Sequence, residues 1–333
     1  MESGTIHLGD LSGGLDLYRT LESGQSYLWR REDGEMYRET GPTRGWYYTV
    51  VDDRFVAETV GDAAGAERDR PTAVSIGGSA GETTETVDGS TSAHVVRVRS
   101  RDGRLEWESS LDAEAIVRHL LRLDDDLEAI VETAPDDPLL TEAYDAHRGM
   151  RLVSDPPFGT LISFICSAQM RVDRIHGMVS TLAREYGESV AFDGRTYHAF
   201  PTPERLATAT EAELRELGLG YRAPYVVRTA EMVADGEAHP AEARDLEYEA
   251  AREYLTRFVG VGDKVADCVL LFSLGFDEAV PLDTWINSAI EEYYPDCDCG
   301  SYAATSRAIR ERLGGEYAGY AQTYVFHHLR TGE

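Results

Sequence analysis

Apolar and polar positions alternate in two early stretches of the chain, residues 15–60 and 93–110. Runs rich in β-branched and aromatic side chains lie within them, at residues 46–51 and 94–99. A period of two is typical of half-buried strands, so we predict antiparallel strands in both stretches. Between two such runs, Gly103 supplies the positive φ of a hairpin turn.

From about Leu111 onward the period changes to three or four residues, which indicates helices that each bury one face. The clearest stretches are residues 116–123, 161–170, 206–217 and 225–233. Strands come first and helices follow, so the sequence predicts an α+β protein rather than an alternating β-α-β fold. We divide it into an N-terminal antiparallel β-sheet domain, residues 1–110, and an all-α domain, residues 111–333.

Residues 61–92 interrupt the strand pattern. They are rich in Gly, Ala, Ser, Thr and acidic residues and contain almost no large apolar side chain. Such a segment buries too little apolar surface to pack, so we predict a flexible acidic insertion without catalytic residues.

The composition is that of a folded protein: 333 residues with 42% hydrophobic content are enough for two packed domains. No segment resembles a signal peptide or a membrane span of roughly 20 apolar residues, so we expect a cytoplasmic protein without membrane contact. Only two of the four cysteines, Cys297 and Cys299, are close in sequence. A structural zinc or iron–sulfur centre needs about four ligands, so we expect neither.

Acidic residues outnumber basic ones 60 to 32, which gives a net charge of −28. Taken alone, this argues against a nucleic-acid partner. At molar salt, however, the Debye length falls to about 3 Å, and surface acids then scarcely repel a phosphate backbone. The basic residues comprise 31 arginines and one lysine. We predict adaptation to high salt, tested by whether folding requires molar KCl; drift toward GC-rich codons is the alternative explanation.

The single lysine, Lys264, lies in residues 255–275, where a Gly-Val-Gly hairpin joins two apolar helical segments. This pattern predicts a helix-hairpin-helix. Gly260 and Gly262 allow the backbone to come close to a partner. The free N–H groups at the start of the second helix form an anion site suited to a DNA phosphate. Such a contact does not depend on the base sequence of the DNA.

Lys264 falls in the first turn of the second helix, where the helix dipole and apolar neighbours disfavour the ammonium form. A neutral amine can attack a sugar carbon, displace the base and leave an imine, after which β-elimination breaks the strand. A simple phosphate contact is the alternative. The chain has no other lysine, which favours a catalytic role for Lys264. An arginine could contact a phosphate equally well, but its guanidinium stays protonated and could not act as a nucleophile.

Asp283 precedes a further helix after a short link, residues 276–281. A link of this length can bring its carboxylate beside Lys264, where it would stabilise a cationic sugar and help to transfer a proton. Asp is also a favoured N-cap residue. Both roles are compatible, because capping N–H groups would keep the carboxylate ionised.

Residues 260–268, Gly-Val-Gly-Asp-Lys-Val-Ala-Asp-Cys, and 280–283, Val-Pro-Leu-Asp, resemble the 8-oxoguanine DNA glycosylases of the helix-hairpin-helix superfamily. The likeness covers most of the chain. Other matching segments are residues 15–17, 23–29, 163–167, 174–178, 197–201, 217–223 and 317–322. The insertion and the loop with Cys297 and Cys299 lie outside it.

The resemblance implies a two-lobed enzyme that flips damaged guanine into a pocket, because the glycosidic carbon cannot be attacked inside the stack. It makes Lys264 the nucleophile and Asp283 its partner. In the pocket, the Gly24 carbonyl would accept the N7 proton of the oxidised guanine, and Gln322 would bind its pairing edge.

Cys268 and Phe326 would sandwich the base by the same resemblance, although both lie in apolar helical stretches where core packing is the ordinary alternative.

The resemblance also implies contacts outside the pocket. Arg174 and Arg222 would contact the base opposite the lesion, and Tyr221 would wedge into the stack. The backbone carbonyls of Phe258 and Val261 would hold a monovalent cation that bridges the hairpin to a phosphate. No other cofactor is implied, the partner is damaged double-stranded DNA, and we expect a monomer.

The chain departs from the family where asparagines follow the 163–167 segment. It has Ala168, Gln169 and Met170 there, so Gln169 would fill the space that the flipped base vacates. A strict preference for cytosine opposite the lesion therefore does not follow from the resemblance.

Two other departures lie beside the catalytic pair. Trp285 stands two residues after Asp283, where the family has a histidine, which predicts a weaker phosphate contact. Asp263 immediately precedes Lys264, and its charge would favour the ammonium form against the helix dipole.

Two other functions are also compatible with a helix-hairpin-helix. A superfamily member for alkylated bases would use the carboxylate with water and would need no lysine. A non-catalytic helix-hairpin-helix protein would only bind DNA, and the lack of Lys264 or Asp283 would mark it. Both residues are present, so we predict an 8-oxoguanine glycosylase with AP lyase activity.

Overall fold

A computed structural model describes residues 1–38, 44–65 and 92–332 of the chain. Its N-terminal part forms an antiparallel five-stranded sheet with the strand order β1-β5-β4-β3-β2. The strands are β1 (Glu2–His7), β2 (Arg30–Arg31), β3 (Tyr47–Asp52), β4 (Ala93–Arg101) and β5 (Arg104–Ser109). The sheet precedes most of the helices, so the predicted α+β class is confirmed.

The predicted hairpin turn lies between β4 and β5. Arg101 pairs with Arg104 across it, and Asp102 and Gly103 have φ values of 51° and 74°. Two consecutive positive φ values match the twist of the flanking strands, and Gly103 adopts its value without a Cβ penalty.

The predicted strands occupy only part of residues 15–60, and helices occupy much of the rest. The helices are α1 (Leu17–Glu22) and most of α2 (Asp53–Gly65). The Asp52 side chain accepts the Phe55 N–H at 2.8 Å, a local hydrogen bond that favours the start of a helix over a longer strand.

The predicted insertion begins too early, because residues 61–65 belong to α2. Its remainder, residues 66–91, lies outside the described residues.

Helices form most of the chain after the sheet. They are α3 (Glu114–Leu120), α4 (Leu127–Glu132), α5 (Pro138–Ala146), α6 (Pro157–Cys166), α7 (Val172–Tyr186), α8 (Pro203–Ala207), α9 (Glu211–Glu216), α10 (Ala223–Ala234), α11 (Tyr248–Leu255), α12 (Asp263–Ser273), α13 (Thr284–Tyr293), α14 (Tyr302–Arg312) and α15 (Ala318–Thr331). Within the described ranges, no helix is long and apolar enough to cross a membrane.

Two details of the helical part differ from the prediction. Residues 206–217 do not form one helix, because Thr210 and Glu213 form a capping box that starts α9 separately from α8. A two-stranded hairpin, β6 (Ser189–Phe192) and β7 (Arg195–His198), also interrupts the helices.

One hydrophobic core joins the sheet to the helices and includes Trp107, Leu120 and Leu270. The predicted domain boundary at residue 110 stays a prediction, and this core crosses it. Arg151 is fully buried and fastens the N-terminal segment to the helices. Its guanidinium donates to the backbone carbonyls of Ser12, Gly14, Arg122 and Asp125.

Helix α15 lies very close to α12 and to the segment after it. A Cβ on Gly319 would lie 2.3 Å from Leu271 Cδ1 and 2.6 Å from the Asp277 carbonyl oxygen. The Gly319 N–H donates to that carbonyl at 2.7 Å. Glycine therefore allows α15 to bring its polar residues beside α12.

Candidate active site

Helices α11 and α12 and the turn between them form the predicted helix-hairpin-helix. Gly260 has a φ of 86°, and a Cβ there would lie 2.8 Å from carbon atoms of Tyr225. Both the conformation and the space require glycine at this position. Gly262 is the N-cap residue of α12, and a Cβ on it would have nothing within 4 Å. A partner can therefore approach the hairpin backbone at Gly262.

Lys264 lies in the first turn of α12 with its side chain half-buried. Its Nζ donates to Ser167 Oγ at 3.3 Å and lies 5.4 Å from the centre of the Phe164 ring. The amine is thus held against the end of α6. Asp263, the preceding acid, lies 3.6 Å from Arg252 Nε, with which it forms an ion pair.

Asp283 is the N-cap residue of α13, as predicted, and its carboxylate accepts the Ile286 N–H at 2.9 Å. Burial raises the pKa of Asp283 above its ordinary value. The N–H groups of Ile286 and Trp285 and the charge of Lys264 lower this pKa, but burial outweighs them. Desolvation is thus the largest influence on the pKa of Asp283, and the capping N–H groups act against it, in the direction that we expected.

A cavity of about 700 Å³ lies between the N-terminal segment, α6, α12 and α15. Its volume is typical of a small-molecule site. The structure brings seven of the predicted site residues to its wall: Gly24, Gln169, Lys264, Cys268, Asp283, Gln322 and Phe326. These residues come from both ends of the chain, so the fold assembles the predicted catalytic pair and base pocket in one place.

Gly24 and Phe326 lie together at this cavity. Gly24 has a φ of 100°, and a Cβ there would lie 3.6 Å from Phe326 Cε1 and 3.3 Å from Val172 Cγ1. Glycine is therefore required by its backbone conformation, and its small size also keeps the wall of the cavity open.

Cys268 and Gln322 are almost fully buried in the wall. Burial raises the pKa of the Cys268 thiol to about 12, so the thiol is neutral and suited to packing rather than to nucleophilic attack. The Gln322 amide donates to Thr323 Oγ1 at 2.9 Å, which orients it within α15.

The predicted DNA-contact residues Tyr221 and Arg222 lie beside the segment that carries Gln169. Tyr221 is 53% exposed, and its hydroxyl lies 3.5 Å from the Ala168 carbonyl oxygen. The Arg222 guanidinium donates to the same carbonyl and is only 4% exposed, so it must leave Ala168 before it can contact a base. Gln169 has a φ of 54°, and Arg174 is exposed in the first turn of α7.

Arg330, which we did not predict, and Trp285, which we noted only as a departure from the family, also belong to the cavity wall. Arg330 donates to the Glu22 carbonyl at 3.0 Å, and its charge lowers the pKa of Asp283. Trp285 is 41% exposed beside Asp283. No spacing in the sequence indicates Arg330, because its main contact is with the opposite end of the chain.

His327 is an interior residue of α15. It is buried, and its ring lies 4.6 Å from that of His147. Burial lowers the pKa of His327 to about 3, so it is neutral.

The hairpin carbonyl of Phe258 accepts the Val261 N–H at 3.1 Å. The cation site predicted at these two residues stays a prediction. In the described part of the chain, no three His, Cys, Asp or Glu side chains are placed to hold a metal ion.

Family models match almost the whole chain in two parts. The 8-oxoguanine DNA glycosylase N-terminal domain matches residues 11–161, and the HhH-GPD superfamily base excision DNA repair protein matches residues 162–313.

Similar proteins are known in archaea and eukaryotes. The probable N-glycosylase/DNA lyase of Methanothermobacter thermautotrophicus is 32% identical over 71% of this chain and 82% of its own length. The N-glycosylase/DNA lyase of Saccharomyces cerevisiae is 37% identical over 54% of this chain. That match spans only 52% of the yeast protein, about half its length.

A similar solved structure is the Clostridium acetobutylicum 8-oxoguanine glycosylase/lyase with double-stranded DNA that contains cytosine opposite 8-oxoguanine. It has a TM-score of 0.73 and 26% identity, and the match covers 96% of this chain and 92% of that chain.

The two hairpin glycines predict opposite effects of alanine. Gly260→Ala should destabilise the protein by about 1–3 kcal/mol in urea unfolding, because its Cβ is strained and crowded. Gly262→Ala should leave stability nearly unchanged but weaken duplex binding about tenfold, because its methyl group would displace a phosphate from one charge-assisted hydrogen bond. Equal stability losses in both variants would contradict this hairpin geometry.

Proposed function

The chain belongs to the HhH-GPD superfamily of base excision DNA repair proteins, in its 8-oxoguanine DNA glycosylase branch, and we propose that it excises 8-oxoguanine and then cleaves the strand. One observation carries this proposal. The only lysine of the chain lies in the same cavity wall as Asp283, among the residues predicted to bind the base. A water-dependent glycosylase for alkylated bases would not need an amine there.

In the proposed reaction the damaged nucleotide rotates out of the duplex and its base enters the cavity. The neutral amine of Lys264 attacks C1′, and the electron pair of the glycosidic bond leaves with the base. The ammonium formed at Lys264 then gives up its two protons, one to the departing base and one to O4′, as the C1′–O4′ bond breaks and the sugar ring opens to an imine. Removal of a proton from C2′ expels the 3′ phosphate and breaks the strand.

The surroundings of Lys264 and of Asp283 suit these steps. Ser167 holds Nζ of Lys264 at the edge of the cavity, so that the amine faces the sugar. The Asp283 carboxylate stabilises positive charge on the sugar. Its burial, which raises its pKa, also makes it a stronger proton acceptor than an exposed aspartate.

Recognition of the base is assigned to the rest of the wall. The Gly24 carbonyl accepts the N7 proton that distinguishes 8-oxoguanine from guanine, and Gln322 binds the pairing edge. Cys268 and Phe326 contact the two faces of the ring. A neutral thiol and a half-buried ring suit this role, because neither carries a charge that would favour water over the base.

We assign the DNA surface around the cavity to the hairpin and to the segment near Gln169. Gln169 fills the vacated stack, Tyr221 wedges beside it, and Arg174 and Arg222 contact the opposite base. A monovalent cation on the hairpin carbonyls joins α12 to a phosphate. We further propose that the protein acts as a monomer in the cytoplasm, on damaged duplex DNA, at high salt.

The proposal is tested by single-turnover assays on a duplex with one 8-oxoguanine opposite cytosine, in molar KCl. Lys264→Gln and Lys264→Arg should each slow base excision and strand cleavage more than about 1,000-fold, because neither side chain forms an imine. Lys264→Arg is the matched control, since it keeps the positive charge. Asp283→Asn should slow excision by about 100-fold without weakening duplex binding.

Two results would overturn the proposal. Base excision that survives in Lys264→Arg would mean that water is the nucleophile. A wild-type protein that leaves 8-oxoguanine intact but excises an alkylated base would mean that the substrate is wrong.

A further inference from the structure

A buried polar cluster lies directly behind the catalytic pair. Its centre is Asp267, a fully buried residue of α12 three positions after Lys264. The carboxylate accepts two hydrogen bonds of 2.7 Å, from the Tyr248 hydroxyl to Oδ1 and from the Tyr302 hydroxyl to Oδ2. Arg252 Nη1 lies 3.9 Å from Oδ2. These partners offset the cost of a buried carboxylate.

Tyr302 makes a second contact that Tyr248 does not provide. Its hydroxyl accepts the backbone N–H of Leu282 at 3.2 Å, and Leu282 immediately precedes Asp283. A hydroxyl has one proton and two lone pairs, so it can donate to Asp267 and accept from Leu282 together. The result is a continuous chain of hydrogen bonds from α12 to the loop that carries Asp283.

Other hydrogen bonds fix the shape of this loop rather than its place. The Asp283 N–H donates to the Pro281 carbonyl at 2.9 Å, and Asn287 Nδ2 donates to the Leu282 carbonyl at 3.2 Å. Both bonds lie within the loop and the start of α13. The Tyr302 contact instead joins the loop to the helix that carries Lys264.

The cluster is suited to a fixed arrangement. Burial raises the pKa of the Tyr302 and Tyr248 hydroxyls well above their ordinary value, so both remain protonated and can donate. Burial also raises the pKa of Asp267 to about 7, while the two hydroxyls and Arg252 lower it. Hydrogen-bonding groups held in a dry interior rigidify the elements that they connect.

We propose that Tyr302 and Asp267 are positioning residues that set where the Asp283 carboxylate lies relative to the Lys264 amine. The inference rests on the proposed function. Neither residue lines the cavity, so neither contacts a base held there. The position of the Asp283 carboxylate matters because electrostatic stabilisation and proton transfer depend on distance. A misplacement of the carboxylate by about 1 Å can cost about 100-fold in rate.

The test compares Tyr302→Phe with Tyr248→Phe. Each variant removes one hydroxyl from Asp267, but only Tyr302→Phe also releases the Leu282 N–H. Tyr302→Phe should lower the single-turnover rate of base excision by about 10- to 100-fold. The Kd for the duplex should stay within about twofold of wild type, because no DNA contact is lost. Tyr248→Phe should keep the rate within about threefold. Equal rate losses in the two variants would overturn the proposal.

A double-mutant cycle separates positioning from general destabilisation. In an Asp283→Asn background, Tyr302→Phe should cause no further loss of rate, because it acts only through the Asp283 carboxylate. Losses that multiply would contradict this.

A measurement without substrate keeps this inference separate from the proposed function. Hydrogen exchange at the Leu282 amide should accelerate in Tyr302→Phe and not in Tyr248→Phe. Unchanged exchange would refute the positioning contact even if the wild-type protein proved inactive on 8-oxoguanine. Normal activity on 8-oxoguanine by Tyr302→Phe would refute only the positioning role.

Discussion

The burial of helix α12 is the constraint on which the rest of the site depends. Val265 and all following residues of this helix to Ser273 are buried, so only its first turn reaches open space. Helix geometry then places Lys264 at the edge of the cavity and Cys268 one turn deeper on the same face. Asp267 turns toward the interior, where the two tyrosines meet it. One helix thus carries the amine, part of the proposed base pocket and the buried Asp267 behind them.

The strongly acidic composition and the proposed DNA partner are compatible because the site does not depend on a basic surface. The cavity wall carries the guanidinium groups of Arg171 and Arg330 beside Lys264, and the adjoining hairpin offers backbone N–H groups. The exposed side chains Tyr221 and Trp285 lie near this opening and can contact DNA without charge. Contacts of these kinds lose less strength in salt than ion pairs between surface side chains.

The sequence was most informative where a short spacing fixes chemistry. The Gly-Val-Gly turn, Lys264 and the N-cap residue Asp283 follow one another along the chain. Local rules and a family resemblance were therefore enough to predict the helix-hairpin-helix and to place these two residues at the starts of helices. Boundaries were less predictable: the start of α2 at Asp53 depends on one local hydrogen bond, and the break before α9 depends on a capping box. Tyr302 and Arg330 gave no signal, because they act across 35 and 308 residues of chain.

The most direct test of imine formation uses the single lysine of the chain. A duplex with 8-oxoguanine is incubated with the wild-type protein and borohydride, which reduces an imine to a stable amine, and the adduct is digested and mapped by mass spectrometry. The proposed mechanism predicts that the deoxyribose-derived mass lies on the peptide that contains Lys264. An adduct on the chain's amino terminus instead, or base excision with no adduct at all, would contradict it.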